Sequence, residues 1–155
     1  MKHYIIDGNN LLGKDRSLSQ LQKKNKQQSR EKLAFILLRY FAKKKAAVSL
    51  HFDGHEREAI KVPSIKIIYS GNYSADDNIK REIEKSKNPR NIILITSDAN
   101  LMEFGRVCSC KVIKCEEFAR LLKQTNTDKE EQFKSDSNVN VEEFKKLFGI
   151  NSSDD

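Results

Sequence analysis

Residues 4–10 read YIIDGNN, and the fold turns on how that stretch is understood. Tyr4, Ile5 and Ile6 form a short apolar run closed by turn formers, the pattern of a strand covered on both faces. Asp7 stands at its carboxyl end, Gly8 permits a tight turn, and the side chains of Asn9 and Asn10 are suited to hydrogen-bond across it. A lone Asp after a strand is ordinarily a turn residue or a helix cap. It gains meaning only if other strands end in the same way.

Other strands do. "AVSLHF" (47–52) runs into Asp53 of "FDGH", and "NIILIT" (91–96) runs into Asp98 of "TSDAN". "IKIIYS" (65–70) leads to Asp76 and Asp77 of "SADD", and "CKVIKC" (110–115) reads as a fifth strand. Helical apolar spacing marks residues 29–45, with Leu33, Ile36, Leu37, Tyr40 and Phe41 on one face and Ser29 as the cap. The same spacing marks residues 74–86, 99–107 and 116–124. Residues 53–64 and the basic stretch "LQKKNKQQSR" (21–30) read as loops. Strands alternating with helices predict an α/β fold, a mostly parallel sheet with helices on both faces.

In a parallel sheet every carboxyl end lies on one edge, so Asp7, Asp53, Asp98 and one of Asp76 and Asp77 should converge there. About 100° per residue puts Asp76 near the Ala75, Ile79, Ile83 stripe and Asp77 on the opposite side, toward Lys80, Arg81 and Glu84. Asp76 is therefore the candidate, and Asp77, three residues after Ser74, completes a capping pair. Carboxylates crowded together repel unless a cation neutralises them. An all-oxygen set without Cys or His selects a hard ion, Mg²⁺ or Mn²⁺, suited to phosphate chemistry. The plainer reading is that these residues only cap helices.

A chain of 155 residues is long enough to bury one domain's core without disulfides or metal. No apolar run has the length of a membrane span and the amino terminus has no signal-peptide pattern, so a soluble, cytoplasmic protein with no membrane partner is expected. Cys108, Cys110 and Cys115 are odd in number and clustered, which favours reduced thiols; a zinc site would lack a nearby fourth ligand, since His3, His51 and His55 lie far off in sequence. The net charge of +7 is uneven, because the first 125 residues hold 25 basic against 14 acidic side chains, about +11. Such a body suits a polyanion, although a solvated Lys-rich surface has the same composition. The polar residues 125–139 read as a linker, 140–149 as a terminal helix docked on the body through Val141, Phe144, Leu147 and Phe148, and 150–155 as a disordered acidic tail.

"YIIDGNNLLG", "SREKL", "LHFDGH", "YSGNYSADDNIKREI" and "ILITSDAN", in that order over residues 1–124, resemble the YacP-like branch of the NYN domains, within the PIN-like nuclease fold. The resemblance departs at Asn9, where many relatives carry Tyr, and at Ser74, where they carry Thr. It implies a three-layer α/β/α sandwich with strand order 3-2-1-4-5, and a metal-dependent ribonuclease. Carried over by motif, Asp7, Asp76 and Asp98 would be the catalytic, metal-binding carboxylates, with Asp53 as a fourth acting directly or through a water. Asn10 would orient Asp7 or contact substrate. Thr96 or Ser97 would hydrogen-bond a metal ligand or phosphate, and Arg30 would pair with acidic groups or meet phosphate.

His55 is a candidate phosphate contact or simply an exposed loop residue, and residues 21–30 either grip an RNA backbone or stay solvated. Phe104 and Met102 read as core. The expected function is endonucleolytic hydrolysis of RNA by a water activated at the four aspartates, with Mg²⁺ or Mn²⁺ as cofactor and RNA as partner. The alternatives are a non-catalytic RNA-binding or ribosome-associated adaptor and a phosphatase or nucleotidase for small phosphate esters.

Overall fold

The computed structural model describes residues 1–135. Its elements are β1 (Lys2–Asp7), α1 (Gly8–Lys14), α2 (Arg16–Lys24), α3 (Lys26–Phe41), β2 (Ala46–Phe52), β3 (Ile65–Tyr69), α4 (Ala75–Lys85), β4 (Ile92–Ile95), α5 (Ala99–Val107), β5 (Lys111–Ile113) and α6 (Cys115–Ser135), with a 3₁₀ turn at Pro89–Asn91 before β4. The strands form one sheet in the order β3-β2-β1-β4-β5, every neighbouring pair parallel. β1 lies at the centre with Ile6 level with Leu50 and Ile95, so β1, β2 and β4 end together. The expected strand order is thus observed.

Alternation along each strand divides the core in two. Ile6, Leu50, Phe52, Ile93 and Ile95 pack with Leu11, Leu12, Leu33, Leu37, Phe41 and Phe118 on one face. Ile5, Ile92 and Leu94 pack with Ile79, Ile83 and Leu101 on the other. Met102 is buried and Phe104 packs against this second core, as their spacing indicated. Tyr4, Tyr40, Phe41 and Phe118 meet in edge-to-face, tilted and stacked pairs with centroids 4.7–6.5 Å apart within the first core.

Three segments differ from the sequence reading. Residues 21–30 form no loop, because Asp15 and Asn25 each cap a helix: their side chains accept from the amides of Leu18 and Gln28 at 2.9 and 3.0 Å. The end of α2 and the first turns of α3 stand there, and of α2 only Leu18 is buried. Ser29 consequently lies inside α3 rather than at its cap, buried, its hydroxyl donating to the Lys26 carbonyl at 2.7 Å. The polar run from residue 125, expected as linker, is helical through Ser135, since its Lys, Glu and Gln favour helix without an apolar stripe. The terminal helix and tail expected over 140–155 lie outside the described residues. No helix among the described residues is long and apolar enough to cross a membrane.

Candidate active site

The glycine and two asparagines after Asp7 work differently from a simple turn. α1 begins at Gly8, where a Cβ would stand 2.5 Å from the His51 carbonyl oxygen and 2.6 Å from the Phe52 ring; the residue is small because β2 passes against it. Asn9 reaches one neighbouring strand end, its Oδ1 accepting from the Asp53 amide at 2.7 Å. Asn10 reaches the other, accepting from the Ser97 amide at 2.7 Å. The pair therefore locks the carboxyl ends of β2, β1 and β4 into one rim.

Four aspartates stand on that rim. Asp7 is only 5% exposed; its Oδ2 accepts from the Thr96 hydroxyl at 3.0 Å and its Oδ1 faces the Asn10 amide. Thr96 is fully buried and also accepts from the Asp98 amide at 3.1 Å, which joins the Asp7 carboxylate to the Asp98 backbone through one side chain. Asp98 caps α5, accepting from the Leu101 amide at 2.9 Å. Asp53 accepts from the Ala75 amide at 2.8 Å, tying the start of α4 to the rim and with it Asp76, half-buried in the first turn. Asp77 is exposed, and its amide donates to Ser74 as the capping pair requires.

Burial pushes the Asp7 carboxyl up to about 6, with the Asp76 and Asp53 charges adding to it; hydrogen bonds from Thr96 and Asn10 oppose the shift. Asp76 is also raised, first by burial, then by Asp98 and Asp53, with Lys80 opposing. The four carboxylates thus feel one another across the rim. Among the described residues no three His, Cys, Asp or Glu side chains are gathered closely enough to enclose a metal ion. The rim's donors are all oxygen and mutually repulsive, a set that fits a hard divalent cation.

The other candidates hold the rim rather than face it. Arg30 is buried under Asp53, donating to the Asp53 carbonyl at 2.8 Å while its guanidinium lies 4.8 Å from the Phe52 ring centroid. His55 is exposed and its Nε2 lies 3.1 Å from Asn72 Oδ1, lacing two loops. The Ser97 hydroxyl accepts from the Cys115 amide and donates to Glu116. Glu116 is a carboxylate that sequence reasoning missed: exposed at the start of α6, it is held below the ordinary range first by the Ser97 hydroxyl. The same strand-end rule pointed to it, since "KCEE" follows β5.

An open parallel sheet covered by helices, with carboxylates at its switch point, is a doubly wound α/β fold whose ligand crevice lies at that edge. The YacP-like NYN domain family model matches residues 4–148, and the chain belongs to that family. Two crystal structures of Rae1 (YacP) from Bacillus subtilis are similar to it. One, of a mutant, has a TM-score of 0.72 at 19% identity and covers 96% of this chain and 92% of that one. The other has a TM-score of 0.73 at 20% identity, with 87% and 81% covered. No curated protein sequence matches the chain.

Proposed function

We propose that this protein is a metal-dependent endoribonuclease that hydrolyses RNA phosphodiester bonds at the Asp7, Asp53, Asp76 and Asp98 rim. The observation that carries the reading is the topology: β1, β2 and β4 end on one carboxyl edge with Asp7, Asp53 and Asp98 at their ends, and the Ala75 amide ties the start of α4, which bears Asp76, to Asp53. Family membership and a basic body of about +11 over the first 125 residues support RNA as the substrate. Asp7, Asp76 and Asp98, with Asp53, would hold Mg²⁺ or Mn²⁺. When bound, such an ion supplies a water of lowered pKa and charge stabilisation at the phosphorus.

The chain's own contribution is orientation. Thr96 fixes Asp7 and Asp98 relative to each other, Asn10 fixes the β4 end through the Ser97 amide, and Arg30 and Asn9 fix Asp53 through its backbone. Lys80, close enough to lower the Asp76 carboxyl, supplies positive charge for a phosphate. Attack by water leaves the ribose 2′-hydroxyl uninvolved, so 5′-phosphate and 3′-hydroxyl ends are expected.

One observation favours the non-catalytic adaptor as a second reading: Asp7 and Asp98 both cap helices and Asp53 anchors a third, structural work that needs no chemistry. Asparagine caps a helix as well as aspartate does. The test is therefore cleavage of a labelled mixed-sequence single-stranded RNA with Mn²⁺, with Mg²⁺ and with EDTA, by wild type and Asp98→Asn. Cutting that needs the metal, yields 5′-phosphate ends and is lost in the variant supports the nuclease. Binding without cutting in every condition contradicts it and favours the adaptor, and cutting of mononucleotide esters alone favours a phosphatase.

A further inference from the structure

Tyr73 is 63% exposed, in the loop between β3 and α4, three residues before Asp76. The loop is fixed. The Ser70 amide donates to the Phe52 carbonyl at 3.0 Å, the Gly71 amide to the Gly54 carbonyl at 2.8 Å, and the Tyr73 amide to the Ser70 carbonyl at 3.1 Å. The Gly54 amide donates to the Ser70 hydroxyl at 2.9 Å, and His55 and Asn72 close the lacing through their side chains. Gly54 and Gly71 make this possible, with φ of 84° and 64°.

The ring has one neighbour of note. The Arg81 guanidinium carbon lies 5.1 Å from its centroid, and Arg81 itself is exposed on α4. Lys80, the preceding residue, acts on the Asp76 carboxyl. An exposed aromatic plane and a guanidinium plane thus lie together at the start of α4, the helix that carries Asp76 in its first turn and Lys80 one turn on.

We propose that Tyr73 and Arg81 form a stacking subsite for an unpaired RNA base beside the carboxylate rim, an inference that rests on RNA being the substrate of that rim. Every base has a π-face, so the ring takes any of them, while the guanidinium stacks on the ring and meets the adjoining phosphate. A base inside a duplex keeps both faces covered by its neighbours. The subsite therefore selects single strands without reading sequence. Phe104, the other aromatic near α4, is packed into the second core and has no such role.

The test uses the full chain in EDTA, so that no cutting intervenes, and a short single-stranded RNA carrying 2-aminopurine, whose fluorescence is quenched by stacking. Wild type should quench it. Tyr73→Ala should lose the quenching and bind roughly tenfold more weakly, Tyr73→Phe should retain both within about twofold, and Arg81→Ala should weaken binding. A duplex with the probe at an internal position, already quenched by its neighbours, should show no further change when protein is added. Wild-type quenching and affinity in Tyr73→Ala, failure of Phe to substitute, or an equal further quenching of the duplex by the protein would each overturn the subsite. Cleavage is read separately in Mn²⁺: a protein that never cuts but quenches through Tyr73 keeps the subsite and removes the nuclease, and one that cuts without quenching does the reverse.

Discussion

Asp7 holds its proton more tightly in the folded chain than in the unfolded one, because burial first, and then the Asp76 and Asp53 charges, lift it to about 6. Its ionisation therefore opposes folding: stability falls as pH rises from about 4, the unfolded value, to about 6, and the cost persists above that. Asp7→Asn keeps the α1 cap and removes the charge. In EDTA near neutral pH it should gain about 1–3 kcal/mol in urea unfolding, with the gain vanishing in acid below the unfolded value; equal stability at neutral pH would mean that the carboxylate serves only as a cap, and lower stability that its charge favours the fold. Thr96→Val removes the hydroxyl that joins Asp7 to the Asp98 amide and leaves the buried Asp7 carboxylate and the half-buried Asp98 amide without that partner. A loss of about 1–3 kcal/mol is expected, with Thr96→Ser losing less.

At this scale the sequence revealed the carboxylates but not their partners. Strand ends are visible as apolar runs that stop, so Asp7, Asp53 and Asp98 could be read directly, and helix periodicity separated Asp76 from Asp77. The partners of Asn9 and Asn10 lie 44 and 87 residues away and become neighbours only through the strand order. Glu116, just beyond the fifth strand, was passed over because the other strand ends carry aspartate rather than glutamate.

Among the elements, α4 does more than carry Asp76. Its Glu82 faces the sheet, where the Ser49 hydroxyl donates to Oε2 at 2.6 Å, His51 Nε2 lies 2.6 Å from Oε1, and His3 Nε2 lies 3.0 Å from Oε2. Burial alone would raise this carboxyl; the bonds from His3, His51 and Ser49 outweigh it and hold it well below the usual range. Such a group stabilises the fold above its unfolded pKa, and the stability is lost as pH falls below about 4.5 toward the folded value. Glu82→Gln should flatten the acid limb of a stability-against-pH curve; an unchanged limb would show that the network contributes nothing there. Polarity hides such a residue in a sequence, since Glu82 breaks the apolar stripe that Ile79 and Ile83 announce. The same blindness explains α2: a helix that begins at the Asp15 cap and buries only Leu18 has little periodicity to detect.

For the molecule as a whole, the fold class and strand order were legible because each strand is an apolar run and each helix between them has an apolar face, whereas the extent of α6 was not, because residues 125–135 have propensity without pattern. The uneven charge makes a prediction at this scale. If the basic body meets three or more phosphates, RNA affinity should fall about tenfold or more between low and physiological salt; affinity indifferent to salt would remove electrostatics from the account. The central claim, that the rim is chemical and not merely structural, is tested most directly by single-turnover cleavage of single-stranded RNA in Mn²⁺ by wild type and Asp7→Asn, with both shown folded by urea unfolding. A rate lower by about 100-fold or more in a variant at least as stable as wild type is the predicted result. Wild-type cleavage by the folded variant would contradict the account.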